Sequence, residues 1–183
     1  MATPRELEVV HADIMIAKNI LYPQDGNTSN QSPYLLNQAA YHSEQAIEKS
    51  LKAIIRAKDE NPDEKILKTH NIEGLLLKVE LCQPNFVQEH SFIAENAHKL
   101  SCFNELRYGD ESVGKADTYI LFKEARALYQ KIEKEYLKDS PDKKQLHNAA
   151  NQQYRDLKHI SLKTDISQFS KKESSGKQDI DLD

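Results

Sequence analysis

The stretch Tyr41-His42-Ser43-Glu44-Gln45-Ala46-Ile47-Glu48-Lys49-Ser50-Leu51-Lys52-Ala53-Ile54-Ile55 decides the fold. With Leu36 and Ala40 before it, the residues Ile47, Leu51 and Ile54 fall on one side of a helix, an apolar stripe of the 3.6-residue period. His42, Gln45, Lys49 and Lys52 recur every three or four residues beside that stripe. One flank of the same helix therefore carries a polar, cationic row.

Outward from this segment the same period returns. Thr3-Pro4-Arg5-Glu6 has the form of a capping box with proline at the first helical position. Leu7, Val10, Ile14, Ala17 and Leu21 follow as a stripe that ends near Tyr22-Pro23. Residues 24–32 form a polar loop, and Ser32-Pro33 restarts a helix running from about Tyr34 to Asp59. A third helix is expected from near Thr69, with Ile72, Leu75, Leu76 and Val79 inward. A fourth is expected after an Asn85–Gln88 capping box, with Ile93, Ala97, Leu100, Phe103 and Leu106 inward. After a turn at Arg107–Gly114, a fifth carries Leu121, Ala125, Leu128, Ile132 and Tyr136. The expected fold class is all-α, an antiparallel up-and-down bundle of about five helices over residues 1–138. A helical extension is expected over 139–162, with Leu146, Ala150, Tyr154 and Leu157 on one side. Residues 163–183 lack any period, carry much charge, and are expected to be a disordered tail.

Composition agrees with long helices. The chain has 183 residues with only 5 glycines and 6 prolines, and no Val-, Ile- and Thr-rich runs that would mark strands. Charged residues make up 30% with mixed sign, and the net charge is -4, which excludes a wholesale basic surface for duplex nucleic acid. A local basic groove remains compatible with that total. No apolar run approaches the roughly 18 residues needed to span a bilayer. The N-terminus lacks a secretion pattern, and Cys82 and Cys102 stand in unrelated contexts. Two reduced thiols in a cytoplasmic protein with no membrane contact are the expectation.

Three segments together resemble the HEPN family, the higher eukaryote and prokaryote nucleotide-binding domains. Gln45-Ala46-Ile47-Glu48-Lys49-Ser50-Leu51-Lys52-Ala53 is similar to the Gln-Ala-x-Glu-Lys-x-Leu-Lys-Ala pattern of the second helix of that family. Thr69-His70-Asn71-Ile72 resembles the Thr-His-Asp-Leu opening of the next helix, and Arg107-Tyr108 the Arg-Tyr-Pro turn before the last core helix. The resemblance spans roughly Asp13 to Tyr136. It implies a helical bundle that forms homodimers. It also implies a link to nucleotides or RNA, or to a nucleotidyltransferase partner in a toxin–antitoxin setting.

The family's enzymes are metal-independent RNases that use an arginine followed, after four to six residues, by a histidine. Arginine steadies phosphate charge and histidine moves a proton near neutral pH. Arg107 is followed here by Tyr108-Gly109-Asp110-Glu111-Ser112-Val113-Gly114, and the next histidine is His147. No catalytic residue is assigned, and the expected role is a non-catalytic or divergent binding module. Candidate residues for an anion or nucleotide are His42, Gln45, Lys49, His70, Arg107 and Tyr108. The ordinary structural reading stands beside this one. Gln45–Lys49 and Glu48–Lys52 are i,i+4 pairs worth about 0.2–0.5 kcal/mol each on a solvated face, and Arg107 has Asp110 within reach of its own turn. Two alternatives stay open: an RNase with displaced residues that uses Arg107 and His70, and a purely structural dimerisation protein. No cofactor is expected, and no metal site, since His90 and His98 are two turns apart and no close His or Cys pairing exists.

Overall fold

The computed structural model describes residues 4–23, 31–102 and 112–136. Every regular element among them is a helix. Thr3, Arg107, Tyr108 and the segments expected as extension and tail lie outside the described residues, as do Phe103 and Leu106.

Helix α1, Pro4–Leu21, buries the predicted stripe Leu7, Val10, Ile14, Ala17 and Leu21. Its last carbonyls are closed by side chains from elsewhere. Gln31 Nε2 donates to the Ile20 and Leu21 oxygens at 2.7 and 3.0 Å, and the Tyr119 hydroxyl donates to Leu21 at 2.7 Å. Helix α2, Pro33–Lys58, begins where expected, with Ser32 Oγ accepting from the Leu35 N–H. It packs against α1, against α4 (Ile72–Cys82) and against α8 (Lys115–Tyr136), and is the central helix of the bundle.

This central position corrects one expectation. The flank of α2 was expected to be solvated, yet Ser43, Glu44, Gln45, Glu48 and Ser50 are buried along with Ile47, Leu51 and Ile54. Neighbours on several sides of α2 enclose these residues, while Lys49 and Lys52 stay partly open. Off the main stripes, Phe86 and Phe122 lie fully in the core, and Phe92 and Tyr119 pack half-buried against it.

Between α2 and α4 there is a short unforeseen helix, α3, Glu64–Lys68, capped by Asp63 Oδ1 on the Lys65 N–H and anchored by buried Leu67. Helix α4 begins at Ile72 rather than near Thr69, because Asn71 is its cap and accepts from Gly74 N–H at 3.1 Å. The expected fourth helix is three short ones: α5 (Phe86–Glu89), α6 (Ser91–Glu95) and α7 (Ala97–Ser101). Asn85 makes no side-chain cap, since its backbone is left-handed with φ 72. The Glu80 carboxylate takes over that role, accepting from the N–H groups of Asn85 and Val87 at 2.8 Å each. At the second break Asn96 Nδ2 donates to Phe92 O at 2.8 Å, a local bond that competes with the helical ladder.

At the first break the buried His90 ring lies 4.5 Å from the Phe86 ring, and its Nε2 has no hydrogen-bond partner among the described residues. Burial, then the nearby Lys131 charge, hold its pKa below the ordinary 6.5, against the pull of Glu89. A depressed histidine pKa stabilises the fold above the unfolded value and loses that contribution as pH falls below it, because the unfolded chain then binds more protons. The urea midpoint of the protein should therefore drop below pH 6.5, and His90→Leu should flatten that part of the profile. An unchanged slope in the variant would show that His90 is not the group responsible.

Candidate functional site

The polar flank of α2 is organised by carboxylates. Asp13 of α1, buried at the helix pair, accepts from Lys49 Nζ at 2.6 Å and pairs with His42 Nδ1 at 2.9 Å. Gln45 Nε2 donates to Glu44 Oε2 at 3.0 Å. Glu48, also buried, accepts from Lys52 Nζ at 2.7 Å on one oxygen and pairs with His70 Nδ1 at 2.9 Å on the other. One turn beyond Lys52, Arg56 pairs with Glu6 of α1 at 2.7 Å.

The four described candidates thus divide. His42 and Lys49 share Asp13; Gln45 and His70 each have a carboxylate of their own. Lys49 is 31% exposed and His42 22%, so both keep some access to solvent. An anion at Lys49 has to compete with Asp13.

The carboxylates themselves were not singled out from the sequence, although a signal existed. Asp13 stands three residues after Val10 and four before Ala17, on the inward stripe of α1. Glu44, Glu48, Leu51 and Ile55 follow at helical spacing, which places both acids on an inward line of α2.

Glu44 is the most perturbed. Burial is the largest cause and raises its pKa from 4.5 to about 8; the Gln45 hydrogen bond opposes, Glu48 adds repulsion, Lys49 opposes and Asp13 adds repulsion. At neutral pH its neutral form is therefore favoured, and the carboxyl has a proton to donate.

Two recesses flank this arrangement. One, of about 190 Å³, lies between α1 and α2 and is lined by Glu6, Val9, Lys49, Lys52 and Arg56. Its three cations are each matched by Asp13, Glu48 or Glu6, which leaves it near electrical neutrality. The other is an open cleft of about 420 Å³ at the N-terminal end of α4, lined by Thr69, His70, Asn71, Glu73, His98 and Cys102, with Ser101 beside them. His70 is 61% exposed there, while its partner Glu48 is inside the protein. The Glu48 bond occupies Nδ1 and leaves Nε2 for a ligand or a proton. The cleft also receives the positive end of the α4 dipole. Ser101 Oγ accepts from the Ile72 N–H and donates to Ala97 O, which fixes α7 against that helix start. The chain continues from Cys102 to Arg107 through five peptide units, a reach of at most about 18 Å.

Among the described residues no group of three or more His, Cys, Asp or Glu side chains is placed to hold a metal ion, and no helix is long and apolar enough to cross a membrane.

The described residues thus form a helical bundle with a Gln-Ala-x-Glu-Lys central helix, a Thr-His entry into α4 and a polar cleft beside it. The chain belongs to the HEPN domain family: the family model matches residues 32–136, more than half of its length. No curated protein and no solved structure matched the chain.

Proposed function

We propose that this protein is a HEPN binding module that recognises the phosphate of a nucleotide or RNA at the cleft beside α4. One observation carries this reading: His70, exposed to a cleft it shares with His98, is fixed from inside by the buried Glu48 carboxylate. A histidine held at Nδ1 is pre-organised, so less ordering entropy opposes a bond from Nε2 to a phosphate oxygen. The helix N-terminus adds favourable potential for an anion. Arg107 and Tyr108, close in the chain to Cys102, are assigned to the same ligand, for charge and for stacking on a base. His42, Gln45 and Lys49 form a second arm of the proposal along α2, where phosphate exchanges with Asp13 and Glu44.

The family relationship supports a homodimer and a nucleotidyltransferase partner in a toxin–antitoxin setting as the context of this binding. Free Cys82 and Cys102 suit a reducing cytoplasm. The displaced RNase reading also draws on the cleft, since the Glu48–His70 pair has the geometry of an oriented proton-transfer group.

One experiment separates the readings. A fluorescent RNA oligonucleotide and a labelled nucleotide are titrated with protein at neutral pH without divalent metal, and the RNA is then run on a gel. Binding with intact RNA is expected. Charge-assisted contacts contribute about 1.5–3 kcal/mol, so His70→Ala should weaken binding about tenfold or more, with Lys49→Ala smaller because Asp13 already holds that amine. Cleavage lost in His70→Ala would establish the RNase reading. Absence of binding to both probes would sink the proposal and leave the structural dimer.

A further inference from the structure

Helix α4 buries one side and presents another that is apolar. Leu77 is 69% exposed and Leu81 80%, one turn apart and opposite the buried Ile72, Leu75, Leu76 and Val79. Two leucines so exposed on consecutive turns form a face that water solvates poorly. Glu73, exposed, continues the same line one turn earlier.

We propose that this face is covered by the chain's own segment Pro141–Leu157. Three observations select that occupant. The first is proximity. Lys131, near the end of α8, pairs with Glu89 of α5 and sits 5.6 Å from the Phe86 ring centroid, and α5 follows α4 after a short turn. The last described residue, Tyr136, is five residues beyond Lys131, about 7–8 Å further along the helix. The described chain therefore ends about one and a half turns beyond a contact with α5, the element that follows the Leu81 end of α4, and residues 137–140 are left to make a turn.

The second observation is pattern. Leu146, Ala150, Tyr154 and Leu157 recur at helical spacing, an amphipathic stripe. The third is register and charge. A helix entering at Leu81 and running antiparallel to α4 sets Leu146 at Leu81, Ala150 at Leu77 and Tyr154 at the turn of Glu73. Arg155 and Lys158 then arrive beside the Glu73 carboxylate. In that register the segment ends on the rim of the His70 cleft, which Glu73 lines.

Hydrogen exchange on the full chain tests this. Peptides covering 141–158 should exchange about tenfold or more slower than an unstructured chain, and Leu77→Asp with Leu81→Asp should abolish that protection. Leu146→Asp with Tyr154→Asp, which alters the segment alone, should do the same and keeps the test valid if the α4 variant folds poorly. Unprotected 141–158 peptides in the unaltered protein would overturn the proposal. So would protection that survives both double variants. Light scattering distinguishes the remaining occupant: a dimer that dissociates in the Leu77→Asp, Leu81→Asp variant, with exchange over 141–158 unchanged, would assign the face to a second copy instead.

Discussion

Glu44→Gln is expected to stabilise the protein by about 3–5 kcal/mol at pH 8 and to leave its stability almost unchanged near pH 4.5. Glu44 is enclosed in α2 and its carboxyl titrates near 8 in the fold against 4.5 for the ordinary group. Burial disfavours the charged form, and Glu48 and Asp13 add repulsion. The sign follows from proton binding. Between pH 4.5 and 8 the unfolded chain releases the Glu44 proton while the folded chain retains it, so unfolding becomes progressively easier as pH rises. Glutamine has the same shape, keeps an oxygen for the Gln45 amide and never ionises. The wild-type penalty at high pH is thereby removed. Urea unfolding at several pH values reads the difference directly. A gain that is the same at pH 4.5 and pH 8 would contradict the account, because it would arise from packing rather than from the proton.

The second large effect runs the other way. Asp13→Ala is expected to cost about 2–4 kcal/mol, since removing one member of a buried pair leaves its partners without an acceptor. Lys49 and His42 are partly exposed and can turn toward water, which keeps the cost below that of a fully enclosed pair. Much of the loss belongs to the stranded Lys49 amine. Asp13→Ala combined with Lys49→Met should therefore be more stable than Asp13→Ala alone, and a double-mutant cycle measures the coupling. A loss under about 0.5 kcal/mol in the single variant would place Asp13 among weak surface ion pairs.

The stripes of α1, α2, α4 and α8 were legible because a 3.6-residue period reports which residues share a face. Period does not report what packs on the remaining faces. His42, Gln45, Lys49 and Lys52 were correctly seen as one row, yet α2 turned out to be central, and part of that row meets Asp13 of α1 instead of open solvent. Asp13, Glu44 and Glu48 were passed over for a related reason: charged residues are seldom buried, so their inward spacing carried little weight. The three-way division of residues 86–101 escaped because Asn96 and Glu80 act through side-chain bonds to the backbone, which no apolar pattern records. His70 was legible as a candidate through its Thr-His-Asn-Ile context. Its cleft was not, because His98 and Cys102 reach it from α7 and its end, almost thirty residues later in the chain.

Glu48 has two clients. One oxygen serves Lys52 on the wall of the α1–α2 recess; the other serves His70 in the α4 cleft. A buried anion shared in this way ties the two recesses thermodynamically. An anion that draws Lys52 outward leaves Glu48 less neutralised, and its hold on the His70 ring strengthens in response. Linkage makes the influence mutual: occupying the His70 cleft with phosphate alters by an equal free energy how readily Lys52 is released. Residue 48 is in that sense a balance beam, with one arm in each recess.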